Sequence, residues 1–360
     1  MTDVSAAIRR ANAFCDAYDL RVPILMAPMA GACPSSLAIA VGNAGGMGAC
    51  GTLLMTPDAI NAWVGEVRKA TNGAFQLNTW IPDPAPSRDP DHEATVRAFL
   101  GDWGPSVPAE AAEVEPPDFD DQCEAMLAAG PSVISSIMGL YSPEFVARMK
   151  AVGIKWFATV TTVGEAIADE AAGADAVVAQ GMEAGGHRGA FDADDASAAM
   201  VGLVALVPAV ADAVSVPVIA TGGIADERGI AAALILGASA VQIGTGLLRS
   251  PEAGIASAWA DAIGEAKPEQ TMGTRAFSGR LGRSIRTAYV EAAAAPSAPT
   301  PAPYPIQRNL TGAMRAVGAN ENDIDRLQAW AGQSAGLARA EPAGAIVAQL
   351  WEQTRRLLGA

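Results

Sequence analysis

Val218-Ile-Ala-Thr-Gly-Gly-Ile224 is a short apolar run that stops at a glycine pair, and Val241-Gln-Ile-Gly-Thr-Gly246 repeats the arrangement one unit later. Upstream, the apolar run 176–179 leads into Gln180-Gly-Met-Glu-Ala-Gly-Gly-His-Arg-Gly-Ala-Phe191, a glycine-rich loop holding one of the chain's two histidines. Runs at 22–27, 47–50, 74–79, 132–137, 155–160, 216–220 and 240–244 have the same character, so eight strands are predicted. They are nearly all apolar, as parallel strands covered on both faces are. Alanine-rich amphipathic stretches lie between them at 57–70, 143–152, 163–172, 225–236 and 251–263. Several open with Ser, Thr or Asp before Pro or Glu, which suits a helix start. Eight βα units within residues 1–265 match the size of an α/β (β/α)8 TIM barrel. A doubly wound sheet, the alternative, would place nucleotide glycines after its first strand. Here they follow strands six, seven and eight, which favours the barrel. The stretch Gly42-Asn-Ala-Gly-Gly-Met-Gly-Ala-Cys-Gly51 leads into a strand instead of following one, so it reads as a helix end and a turn.

Two segments interrupt the pattern. Residues 80–121 are rich in proline and acids, with a helix expected near 91–100, and read as an insertion after strand three over the barrel mouth. Residues 266–340 carry Pro296-Ser-Ala-Pro-Thr-Pro-Ala-Pro-Tyr-Pro305, which should be extended and stiff. Helix is expected to resume at 321–333. We read this segment as a lid across the active face in preference to a plain linker. Within residues 341–360, a helix at 343–358 is expected to pack back on the barrel.

Composition narrows the function. Half the residues are apolar, the net charge is −15, and no Lys/Arg-rich stripe occurs. An acidic surface disfavours nucleic acid and anionic membranes. The longest apolar run, 200–211, holds Gly202 and Pro208 and falls short of the ~20 residues a membrane span needs. No apolar signal region opens the chain. A cytoplasmic protein is expected, and the apolar content permits a homodimer. Cys15, Cys33, Cys50 and Cys123 lack Cys-x-x-Cys spacing and read as buried thiols, with no metal site.

In a barrel, chemistry sits at the C-terminal strand ends, and phosphate often binds the loops after strands seven and eight. Gly222, Gly223, Gly244 and Thr245 stand there; glycine lets backbone N–H groups approach phosphate oxygens closely. Ala27-Pro28-Met29 ends strand one, where the proline turns the chain and exposes backbone on which a flat ring can lie. Asn78 ends strand three, Gln180 ends strand six, and Gln242 lies in strand eight. Amides offering donors and acceptors suit a heterocycle such as a flavin. His187 is the acid–base candidate, since an unperturbed imidazole titrates at about 6.5. Glu183 and Arg188 read as loop-ordering ion partners, and His92 as a surface residue.

Ala27-Pro-Met-Ala-Gly31, the loop Gln180 to Gly189, Ala220-Thr-Gly-Gly-Ile224, Val241-Gln-Ile-Gly-Thr245 and the late Pro303-Tyr-Pro-Ile-Gln307 together resemble the nitronate monooxygenases, formerly called 2-nitropropane dioxygenases. The Glu-Ala-Gly-Gly-His-Arg-Gly element is the most specific of these. The resemblance implies an FMN-dependent barrel enzyme without a metal, which oxidises alkyl nitronates with O2 to a carbonyl compound and nitrite. By motif, Ala27, Met29, Asn78, Gln180, Gly185, Gly186, Gly222, Gly223, Gln242, Gly244 and Thr245 would hold FMN, the loop glycines making room for its ring. His187 would face substrate, as a base toward neutral nitroalkanes or a partner to the nitronate. Tyr304 and Gln307 would close the pocket from the lid. Residues 76–83 depart from the family pattern after Asn78. No lysine ends a strand, so backbone N–H groups or Arg188 would balance a reduced flavin. The alternative reading is an NAD(P)H-dependent flavin reductase of the same barrel group, acting on a quinone or an enoyl thioester. A non-catalytic flavin-binding protein is a third, against which His187 argues.

Overall fold

A computed structural model describes residues 4–360. All eight predicted runs are strands: β1 (Ile24–Met26), β2 (Gly48–Gly51), β3 (Phe75–Trp80), β4 (Val133–Ile137), β5 (Lys155–Val160), β6 (Ala176–Gln180) and, past the two-residue β7 (Gly186–His187) of a second sheet, β8 (Val218–Thr221) and β9 (Ala240–Ile243). The eight are parallel, in the order β1-β9-β8-β6-β5-β4-β3-β2. Met26 N donates to Met47 O (2.9 Å) and Met47 N to Ile24 O (3.2 Å), which brings the two ends together into a barrel.

The amphipathic stretches form the outer ring: α2 (Ser35–Asn43), α3 (Pro57–Ala70), α5 (Phe119–Ala129), α6 (Pro143–Ala151), α7 (Val163–Ala172), α8 (Leu203–Ala213), α9 (Glu227–Ile235) and α10 (Ser257–Glu265). Thr56, Ser142 and Asp226, each placed before Pro or Glu, and Thr162, three residues before Glu165, cap four of them by accepting a first-turn backbone N–H. The stretch 42–51 is the end of α2, a turn and β2, as read. The helix α1 (Val4–Tyr18), which no motif announced, plugs the barrel floor: the Tyr18 ring meets Phe157 edge-on at 4.9 Å.

Strand alternation then divides the interior into layers. Leu25, Phe157, Val178, Ile219 and Ala240 form an apolar lower layer. Two residues further along each strand, Thr159, Gln180, Thr221 and Gln242 present polar groups to a cavity at the barrel mouth.

The two interruptions meet each other. From 80–121, α4 (Pro90–Leu100) and a short 3-10 turn supply Val96, Leu100 and Ala112. These pack on Phe277, Tyr289, Leu310 and Met314, making a second small core beside the barrel. Segment 266–340 also contributes the antiparallel pair β10 (Thr271–Thr274) and β11 (Gly282–Ile285), to which β7 adds. Its helices are α11 (Ala288–Ala293), α12 (Ile306–Leu310) and α13 (Gly312–Glu321), so the helix expected at 321–333 is corrected to one that ends where that stretch begins. Asn322 stops it by taking the left-handed conformation (φ 55°). The Pro-rich run has no regular structure across 299–303. His92, read as surface, is half-buried, its Nε2 lying 2.8 Å from Thr300 O. The last helix, α14 (Ala343–Leu357), lies on α2 and α9, with Thr354 Oγ1 donating to Leu350 O at 2.7 Å.

The four cysteines are buried and unbridged. Among the described residues no helix is long and apolar enough to cross a membrane, and no His/Cys/Asp/Glu group is placed to hold a metal.

One buried group carries a stability prediction. Asp169 in α7 is fully buried and neither carboxyl oxygen has a partner. Burial, aided by Glu165, pushes its carboxyl up to about 8. Folded Asp169 therefore holds a proton that the unfolded chain releases at about 3.9, so stability declines as pH rises from about 4 to 8. Asp169→Asn should raise the thermal midpoint at pH 8 and leave it nearly unchanged at pH 4. Equal shifts at both pH values would show that the carboxylate charge is not responsible.

Candidate active site

The mouth cavity has a volume of about 400 Å³, within the 300–1,000 Å³ typical of small-molecule sites. On its strand-seven and strand-eight side the backbone is shaped for an anion. Gly222 (φ 107°) and Gly223 (φ 67°) both take conformations that favour glycine. A Cβ on Gly222 would stand 3.0 Å from Ala184 N. Thr245 and Gly246 open a 3-10 turn. The N–H groups of Gly222, Gly223, Thr245 and Gly246 find no acceptor among the described residues. Four such donors on two adjacent turns fit a phosphate.

The inner wall of the mouth cavity offers both donors and acceptors. Gln76 is buried and donates through Nε2 to Met26 O (3.2 Å) and to Gln242 Oε1 (3.1 Å). That fixes the Gln242 amide and leaves its NH2 for the cavity. Asn78 Nδ2 donates to Ser135 Oγ (3.1 Å), which leaves its carbonyl oxygen as a free acceptor. Ala27, Met29 and Gly244 complete this wall.

Gln180 lines the cavity and also ties down the histidine loop. Its Nε2 donates to His187 O (3.0 Å) and its Oε1 accepts from Gly189 N (2.8 Å), so both ends brace the histidine loop. Gly185 likewise answers to the protein: a Cβ there would lie 2.5 Å from Gly332 N, where the chain crosses the loop. Gly185→Ala should cost about 1–3 kcal/mol by overpacking. The checks are a lowered thermal midpoint and weaker retention of the cofactor on gel filtration. Thr245 Oγ1 accepts from the same Gly332 N (3.1 Å).

His187 is a residue of β7 and pairs with Gly282 of β11, so the barrel loop and segment 266–340 position it together. Its ring lies between Trp80 (4.6 Å, edge-on) and Trp330 (4.9 Å, edge-on). Its Nε2 is 2.7 Å from Ser278 Oγ. Burial, with the charges of Arg280, Arg308 and Arg315, lowers its pKa from 6.5 to about 3. The expectation of an imidazole titrating near neutrality is thereby corrected: His187 is neutral throughout the physiological range.

Glu183 accepts from Leu203 N at the start of α8, as a loop-ordering group. Arg188 is buried and donates to Gln180 O (2.6 Å) and Ala199 O (3.0 Å). Its charge is committed below the loop and does not reach the main cavity. Tyr304 stands behind Trp80, ring centres 5.2 Å apart. Gln307 lies outside the cavity wall; it donates to Ala276 O (2.7 Å) and accepts from Ala302 N (2.9 Å) inside the second core. Sequence reasoning missed Trp80, Ser278, Trp330, Arg308 and Arg315. Trp80 lay within the unusual stretch 76–83; the others had no strand to announce them.

Unpaired turn N–H groups, strand-end amides and one neutral imidazole around a single cavity suit a flavin-type oxidoreductase on a (β/α)8 barrel. The chain belongs to the nitronate monooxygenase family, whose model matches residues 14–353. It is 35% identical over 350 residues to a probable nitronate monooxygenase of Staphylococcus aureus, covering 96% of this chain and 98% of that one. A solved nitroalkane oxidase from Streptomyces ansochromogenes superposes with a TM-score of 0.86 at 34% identity, over 95% of this chain and 99% of that one. FabK from Thermotoga maritima follows at TM-score 0.74 and 29% identity, over 96% and 97%.

Proposed function

We propose that the chain binds FMN in this cavity and oxidises alkyl nitronates with O2 to a carbonyl compound and nitrite. The observation that carries the reading is the sign of the wall. In a protein of net charge −15, no Asp or Glu side chain lines the cavity among the described residues, while Arg308 and Arg315 do. Such a wall attracts an anion, and a nitronate is one. FMN, when bound, supplies the redox-active ring; Gly222, Gly223, Thr245 and Gly246 would take its phosphate, and Asn78 and Gln242 its ring edge.

His187 faces the carbon that bears the nitro group, where its free nitrogen can accept a proton. Ser278 Oγ has one proton and donates it to Arg280 O (3.2 Å), so it accepts from His187 Nε2–H. Nδ1 then carries the lone pair. An imidazole of such low basicity takes a proton from a neutral nitroalkane only slowly, which favours the preformed nitronate as substrate. Trp80 and Trp330 exclude water around it.

The test is anaerobic mixing of the purified yellow protein with propyl-1-nitronate or with NADH, followed by admission of O2. Bleaching by the nitronate and release of nitrite on reoxidation are expected. Rapid bleaching by NADH, with nitronates leaving the flavin oxidised, would replace this reading by the NAD(P)H-dependent reductase.

A further inference from the structure

We propose that Gln76 is a positioning residue: it commits the Gln242 amide to donate into the cavity, so that Gln242 meets an acceptor of the bound ring and raises its reduction potential. The inference rests on the reading of this cavity as a flavin site.

A glutamine amide can present either its NH2 or its carbonyl oxygen, and nothing in Gln242 itself decides between them. Gln76, on β3, is 1% exposed and Gln242, on β9, is 6% exposed, so bulk water orients neither. Gln76 Nε2 commits its two hydrogens to Met26 O (3.2 Å) and Gln242 Oε1 (3.1 Å). Met26 O is a backbone carbonyl and can only accept. Turned end for end, Gln76 would set its own oxygen against it, acceptor against acceptor. The observed orientation holds although it leaves Gln76 Oε1 buried without a partner, so the two donated bonds outweigh one unmet acceptor. Met26 O therefore fixes Gln76, and Gln76 in turn holds the oxygen of Gln242.

Asn78, two residues along β3, is set the opposite way. Its Nδ2 donates to Ser135 Oγ (3.1 Å), and its oxygen is left for the cavity. The wall thus offers one amide donor and one amide acceptor, and a Gln242 turned over would make it two acceptors. A flavin ring edge carries oxygens and bare nitrogens that accept and one N–H that donates, so this polarity is what the wall can recognise. Gln76 itself does not line the cavity and acts only through Gln242. An N–H aimed at the ring is worth more once the ring has taken electrons, because hydrogen bonds to charged groups are the stronger ones. Gln76 thereby favours the reduced cofactor without touching it.

Reduction potentials of the FMN-loaded protein test this. Gln242→Met should disfavour reduction by about 10- to 100-fold, which is about 30–60 mV for two electrons. Gln76→Met, similar in volume but without a donor, should shift the potential in the same direction by a smaller amount, since Gln242 is then free to turn. Gln76→Leu serves should the methionine variant not fold. The double variant should match Gln242→Met, because Gln76 has no other route to the ring. A merely structural role would lower the thermal midpoint and leave the potential alone. A second measurement needs no substitution at 76. In wild-type protein carrying 15N-labelled glutamine, the Nε2 signals of Gln242, identified by their loss in Gln242→Met, should move downfield when FMN is added. A potential unchanged in the Gln76 variant, shifts that simply add in the double variant, or Gln242 signals indifferent to FMN would overturn the proposal and leave the flavin reading intact. Failure of the wild type to take up FMN would remove the flavin reading and this inference with it.

Discussion

His187→Ala should lower turnover of a neutral nitroalkane by about 10²-fold at most, the low end for a positioned proton acceptor, because an imidazole held near 3 is a weak base. The same variant should lose far less with the preformed nitronate, from which no proton need be removed. The paired assay isolates the proton step, because both substrates meet the same pocket. A variant that oxidised the neutral nitroalkane at the wild-type rate would remove that role. The wild-type pH profile adds a second check. The profile of kcat/KM reports the free protein, in which His187 is held near 3. With a substrate kept fully ionised, no inflection near pH 6.5 should appear. Stability moves the other way from Asp169. Folded His187 binds fewer protons than the unfolded chain, so stability falls as pH drops from about 6.5 toward 3. His187→Asn should flatten that part of the stability curve, read from thermal midpoints at pH 4 and pH 7.

The barrel was legible because parallel strands buried on both faces are written as uninterrupted apolar runs. Val177 packs outward and Val178 inward, yet both must be apolar, so the run 176–179 announces itself. The glycines after β8 were legible for a similar reason: phosphate chemistry and backbone conformation ask for the same residue. The rest of the site was hidden by distance in sequence. Ser278 meets His187 across 91 positions, and only the β7–β11 pairing brings them together. Gly185 was visible as a glycine of the cavity wall, but the crossing backbone at Gly332 that also requires it was not. The helix misplaced at 321–333 failed through one residue, Asn322, whose left-handed turn ends α13. The depressed basicity of His187 had no sequence signal at all, because its causes are burial and arginines from 93 to 128 positions away.

Asp83→Ala should destabilise the protein by about 3–5 kcal/mol, the range for stranding one partner of a buried ion pair. Arg280 is the stranded partner: its side chain is 3% exposed against 24% for Asp83. Its Nε donates to Asp83 Oδ2 (2.7 Å), and its Nη2 donates to Asp83 Oδ1 in a two-point contact. Nη1 also donates to Ala190 O (3.2 Å), just past the histidine loop. One guanidinium thus joins three segments distant in sequence: the start of 80–121, the loop after β7 and segment 266–340. Without Asp83 an uncompensated cation is left inside that junction. Thermal midpoints should drop, and trypsin should cut at Arg88 or Arg97 sooner as 80–121 separates from 266–340. Replacing both partners, as Asp83→Leu with Arg280→Met, should recover most of the stability, since paired apolar groups avoid the stranded charge. Activity should not recover with it. Ser278 lies two residues from Arg280 and bonds His187, so loss of the clamp frees the partner that fixes the imidazole. A double variant that regained both stability and turnover would show that the pair serves folding alone. One that regained only stability would place Arg280 among the residues that position His187.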